Sequence, residues 1–202
     1  MAGKLVAVAV LSAALYAQDL KPVIDPKPVI DNDRVTVWDV TWTKGATFPA
    51  APDRDLVTMR LAGANAGTAG FSAKGSYRSK TGYAGDRWLL IELKDHPVPP
   101  IENKTGYPLA FPRPRVKKLM ENNRAVVWSY RWNPGEPTPM HFHDKDVVVV
   151  YLEDTALTST TPEGAKTSNQ YKAFDIRFNK RDRTHTELLE RGTGSAMMME
   201  LK

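Results

Sequence analysis

A chain of 202 residues with 42% apolar content, a formal charge of +5 and no cysteine is long enough to bury a real core. Without thiols it must hold together by packing alone and can bind metal only through nitrogen and oxygen. Its densest basic runs, Arg113 to Lys118 and Lys180 to Arg183, are short and carry no interleaved aromatics, which argues against nucleic acid. Both read as solvated loops, the second placed to attract an anion.

Taken in chain order, residues 1 to 17 have the form of an export signal. Lys4 supplies the positive start, Leu5 to Leu15 the apolar stretch, and small residues close it, with cleavage near Ala14 or Ala17. A stretch of eleven residues is too short to span a bilayer, so no stable membrane span is expected once the signal is removed, and a secreted or periplasmic location is. Residues 18 to 31 are a lead-in in which Lys-Pro-Val-Ile-Asp is written twice; its prolines make it extended rather than helical.

A longer repeat organises the rest. Asn32 to Gly45 aligns with Asn122 to Gly135 at six identities in fourteen positions, and the aligned stretches contain four of the five tryptophans. The copies also end alike, Ile91-Glu92-Leu93-Lys94 against Met199-Glu200-Leu201-Lys202. Two homologous domains are therefore expected, 32 to 94 and 122 to 202. Between them, residues 95 to 121 hold six of the fifteen prolines and form an extended connector, with Tyr107, Leu109 and Phe111 available to dock it.

Within each copy, short β-type runs are separated by Gly, Pro, Asn or Asp, with no useful helical period. Strands are predicted at Thr36 to Trp42, Leu56 to Leu61 and Trp88 to Leu93, and again at Val126 to Trp132, Val147 to Leu152, Phe174 to Phe178 and Ala196 to Leu201. Such spacing predicts an all-β sandwich or barrel in each half. Phe174, Ile176 and Phe178 alternate with Asp175 and Arg177, giving one core face and one wet face. Val147 to Leu152 is apolar on both faces and needs two covers, its own barrel and the other copy.

Two of the four histidines, His141 and His143, stand one residue apart, so a strand turns both imidazoles to one face, as a metal chelate requires. Gly135-x5-His141-x-His143 resembles the first half of the cupin signature, and Phe174 to Asn179 followed by Thr184-His185 occupies the place of the second. The chain is similar to duplicated cupins, and over residues 122 to 202 to small secreted bacterial cupins of unassigned function. That resemblance implies two double-stranded β-helix barrels in tandem and makes His141, His143 and His185 ligands of one divalent ion, with zinc, iron, copper, nickel and manganese not distinguished. It implies a small-molecule ligand or substrate, an anion among the candidates, and an oxygenase, isomerase or hydrolase if the protein is an enzyme.

The sequence departs from the pattern where a carboxylate is expected, at Val147 and Val148; Asp146 stands one place early, and pleat alternation turns it away. A three-histidine site without a carboxylate is therefore expected. In the first copy, Ala50 and Pro52 align with the paired histidines and Tyr77 with His185, so that barrel is expected to be degenerate and to brace the second. Tyr130, Tyr151, Glu136 and Glu187 are candidate proton donors or acceptors beside the metal, each with packing or solvation as the blander role. Arg177 and Arg183 are candidate carboxylate binders against ordinary surface ion pairing. His96 reads as a loop histidine. A competing reading is a binding or structural protein whose metal site has decayed, and the chain is compatible with a monomer or a homodimer.

Overall fold

Fourteen β-strands and no helix are present among the residues that this computed structural model describes, 27–44, 46, 53–76 and 82–202. The export signal, most of the lead-in, and Ala50, Pro52 and Tyr77 lie outside the described residues. No helix among those described is long and apolar enough to cross a membrane.

The first copy contributes β1 (Ile30–Asp31), β2 (Val35–Thr41), β3 (Asp55–Ala62), β4 (Thr68–Ser72) and β5 (Arg87–Leu93), all in one sheet of order β1-β2-β5-β3-β4. The second contributes nine strands in two sheets. One holds β6 (Lys117–Glu121), β7 (Ala125–Arg131), β9 (Val147–Tyr151), β12 (Ile176–Asn179) and β14 (Ser195–Leu201), in the order β12-β9-β14-β7-β6. The other holds β8 (His141–His143), β10 (Thr155–Thr160), β11 (Lys166–Tyr171) and β13 (Arg183–Gly192), in the order β11-β10-β13-β8.

The repeat read from tryptophans is a repeat of register. Val35 faces Leu93 across β2 and β5, and Ala125 faces Leu201 across β7 and β14, so the two five-stranded sheets match strand for strand. Among the described residues the first copy shows only this sheet, where the second adds the four-stranded layer that closes its barrel.

Strand β9 obtains both covers. Val148 and Val150 pack with Val35, Val37, Val57, Met59, Leu89 and Ile91 of the first copy, while Val147, Val149 and Tyr151 pack inside the second barrel. Neighbouring β14 divides in the same way: Met197 and Met199 face the first copy, and Ala196 and Met198 face the barrel. Each fully buried apolar side chain contributes roughly 1.5–3 kcal/mol, so neither face of these strands tolerates water. Ile176 and Phe178 of β12 also pack against this interface between copies, as does Phe174, which lies not in the predicted strand but in the turn before it, at a φ of +68°.

On its opposite face, the first sheet gathers Val40, Leu56 and Leu90 around Trp42 and Trp88, whose rings meet edge to face at 4.9 Å. The chain passes so close there that a Cβ at Gly82 would stand 2.3 Å from the Trp42 ring. By register Trp88 occupies the place of Ala196, so a bulky indole fills the first copy where the second has a methyl group.

The connector docks through its backbone and Phe111, while the side chains of Tyr107 and Leu109, also named for docking, stay exposed. Ala110 N–H donates to Phe142 O at 2.8 Å, Phe142 N–H donates to Pro108 O at 2.9 Å, and the buried Phe111 stacks on Trp128 at 5.5 Å. Its last five residues are strand β6 rather than free linker.

Candidate metal centre

Strand β8 turns His141 and His143 to the barrel interior, and antiparallel pairing sets His185 of β13 directly across from His141. The three rings lie 4.8 to 5.0 Å apart between centroids, all three residues are buried, and one ligating atom from each falls within 4.8 Å of the others. Leading into β8, Gly135 adopts a φ of +73°, a conformation that a side chain would strain.

The nitrogens are set for a cation. His141 Nδ1 lies 2.7 Å from Pro139 O, and a carbonyl only accepts, so Nδ1 carries the hydrogen and Nε2 the lone pair. His143 Nδ1 and His185 Nε2 are buried without a hydrogen-bond partner. Burial, then the charge of Arg113, holds the His141 pKa down at about 4, and burial with Arg183 nearby pushes His143 well below its ordinary value. For His185, burial lowers the pKa and outweighs the opposing pull of Glu187. Three neutral imidazoles converge, two with orphaned nitrogens, and this donor set fits a divalent transition metal. Among the described residues no other group of His, Asp or Glu has such geometry.

The group consists of three histidines without a carboxylate, as expected, although one carboxylate lies beside it. Val147 does occupy the usual place and packs in the barrel core. Glu187, on the same face of β13 as His185, brings Oε1 to 3.7 Å from His185 Nε2. Its other oxygen accepts from Trp132 Nε1 at 3.1 Å and Arg113 Nη2 at 3.4 Å. Burial alone would raise that carboxyl, but the charge of Arg113 and the indole N–H of Trp132 hold it below the usual range.

Arg113 is the residue that sequence reasoning missed, because it stood in a basic run read as solvated. Its side chain is 5% exposed, with Nη1 3.0 Å from His141 Nε2 and the guanidinium 4.1 Å above the Tyr130 ring. Of the remaining candidates, Tyr130 is buried beneath that guanidinium, edge-on to Trp132 at 4.9 Å. Tyr151 stacks on Tyr171 at 3.8 Å, and burial raises its phenol so that it stays neutral. Glu136 is not in the site: it is 61% exposed and pairs with Arg115. Arg177 is likewise at the surface, 3.7 Å from Asp175. Arg183 does line an open cleft that reaches His185, with Thr105, Tyr107, Ser159 and Thr161. His96 is an exposed loop residue.

No protein-family model matches the chain. It is 40% identical over 60 residues to the β-alanine degradation protein BauB of Pseudomonas aeruginosa, a match covering 30% of this chain and 59% of that protein. Among solved structures it is similar to the oxalate decarboxylase of Bacillus subtilis, described for its Mn(II) centres, with a TM-score of 0.52 at 10% identity over 85% of this chain and 69% of that one. A cupin domain from Bordetella pertussis matches at 26% identity with a TM-score of 0.40, over 45% of this chain and 97% of that domain.

Proposed function

From a fold similar to that of the cupin barrels, we propose that the chain is an exported protein that binds one divalent metal ion through His141, His143 and His185 and acts on a small molecule there. The single observation that carries this reading is the convergence of three buried, neutral imidazoles on one point. Bound there, the ion would supply Lewis-acid or redox chemistry. The chain's own residues supply the rest: Pro139 O orients His141, Trp132 and Arg113 hold Glu187, and Glu187 Oε1 stands ready to accept or return a proton beside His185. Export is supported by the form of residues 1 to 17.

Elemental analysis of tag-free protein tests the reading. Wild type should carry close to one transition metal ion per chain and His141→Ala far less, while equal and negligible metal in both would overturn it. N-terminal sequencing of protein recovered from the periplasm or medium should begin after Ala14 or Ala17.

A second reading, ligand binding without turnover, is favoured by one observation. The Arg113 guanidinium lies against His141 Nε2, the nitrogen that a metal would use. Metal-dependent turnover in a broad substrate screen would reject it.

A further inference from the structure

Charge around the imidazoles narrows the chemistry of the small molecule, and the inference here rests on the metal-site reading above. Two guanidiniums flank the group. Arg113 stands on one side, committed to Glu187 and His141. Arg183 stands on the other, two residues from His185 on the same face of β13 and opposite His143 across the ladder.

Arg183 has little to compensate it. Its Nε donates to Lys180 O at 2.6 Å, and among the described residues it forms no ion pair. The carboxylates it feels are both committed elsewhere: Glu187 accepts from Trp132 and Arg113, and Asp146 pairs with Arg34. The side chain is only partly exposed, and arginine keeps its charge in proteins. An unpaired, partly desolvated cation therefore lies in the cleft that reaches His185.

That cleft encloses about 610 Å³. Thr105, Ser159, Thr161 and Thr167 give it hydroxyl walls, with Tyr107 on one side and two acids, Glu163 and Asp182, also lining it. Hydroxyl walls suit a short polar molecule better than an alkyl chain. With Nε engaged, Arg183 offers its two terminal nitrogens, which match the paired oxygens of a carboxylate. Glu163 and Asp182 disfavour a doubly charged anion such as phosphate.

We propose that the cleft binds a small polar monocarboxylate, its carboxylate on the Arg183 guanidinium and its other end directed toward His185. Arg183 then sets specificity by charge and fixes which end of the ligand approaches the imidazole group.

Lactate and its neutral isostere lactamide test this by ligand-observed NMR titration of the full chain, metal-free and cobalt(II)-loaded, in wild type, Arg183→Gln and Arg183→Lys. Lactate should bind both forms of wild type, and lactamide at least about tenfold more weakly, since a hydrogen bond between charged groups is worth about 1.5–3 kcal/mol. Arg183→Gln should lose about the same factor and Arg183→Lys less; inorganic phosphate should bind more weakly than lactate. Lactate binding that survives Arg183→Gln, lactamide binding equal to lactate, phosphate binding tighter than lactate, or no lactate binding to either form would each overturn the proposal. The lactate and lactamide comparison on wild type decides the matter even where a variant does not fold. Failure to load cobalt with Arg183-dependent lactate binding intact would sink the metal reading and leave this one standing.

Discussion

Arg34 of the first copy donates to Asp146 of the second at 2.6 Å, and its repeat counterpart Arg124 donates back to Asp55, the counterpart of Asp146, at 3.2 Å. The exchange extends to the strand ends. Arg34 also reaches Lys202 O, and Arg124 reaches Lys94 O. Asn32 and Asn122 each cap the turn that aims their arginine, accepting from backbone N–H groups two and three residues on. The duplicated Asn-x-Arg and Glu-Leu-Lys markers are thus the parts of a pseudo-two-fold clasp, and Asp146 serves that clasp instead of the metal site.

The two arms of the clasp differ in burial, so their loss should differ. Arg34 and Asp146 are each 10% exposed, Arg124 and Asp55 23% and 18%. Arg34→Ala leaves a buried carboxylate without its partner and should cost about 3 kcal/mol, whereas Arg124→Ala should cost about 1 kcal/mol. Urea denaturation measures both, and a double-mutant cycle with Asp146→Ala isolates the pair. Metal content should be unchanged in Asp146→Ala, and its loss there would contradict the orientation of that side chain.

Because β9 and β14 give one face to each copy, the halves share a core and should not melt separately. Calorimetry should show one cooperative transition for the full chain, and Met199→Ala, fully buried between the copies, should lower it by an amount equivalent to about 2–5 kcal/mol. Two resolved transitions would show that the first copy only rests on the second.

Stability should fall with pH through a histidine window. The His141 pKa is held at about 4 in the fold against 6.5 in the open chain, and His143 and His185 shift in the same direction. Between those limits the unfolded chain binds more protons than the native one, so stability is fully present above about pH 6.5 and is lost as pH falls toward 4. For His141 alone the loss is on the order of 3 kcal/mol. Urea melts of metal-free protein at stepped pH should show this decline, and His141→Asn should make it shallower by its own share; a flat profile in wild type would contradict the burial of the group.

Much of this architecture was legible because periodic features are local. The six residues Val147 to Leu152 form a continuous apolar run, which alone says that both faces of the strand are covered, as the full burial of Val147 to Tyr151 bears out, and four tryptophans in matching places mark the duplication. The β10–β11 hairpin was not legible: Thr155 to Thr160 and Lys166 to Tyr171 are mostly polar, and β11 is exposed along nearly its whole length, so no apolar alternation marks it. The same limit hid Arg113. Its partners His141 and Glu187 lie 28 and 74 residues away, and a proline-rich basic segment carries no signal that one cation folds inward while its neighbour Arg115 stays at the surface with Glu136. Glu187 was named as a candidate, but that one of its oxygens is held by an indole required the cross-barrel position of Trp132.

Removing the Arg113 charge should separate fold stability from metal affinity. In the metal-free chain its guanidinium neutralises Glu187 and packs over Tyr130, so Arg113→Gln leaves a largely buried carboxylate with only the Trp132 indole as donor and should lower stability by about 3 kcal/mol. For a divalent cation the same change is favourable. It removes a positive group 3.0 Å from His141 Nε2 and releases Glu187 to interact with the ion. Metal affinity should therefore rise by about tenfold or more, since unit charges a few ångströms apart interact by several kcal/mol where the effective dielectric constant is near 20. Melting temperatures with and without cobalt(II), together with chelator competition, measure the two effects on one sample. A variant that is both less stable and weaker in metal binding would show that Arg113 supports the imidazole geometry instead of opposing the ion.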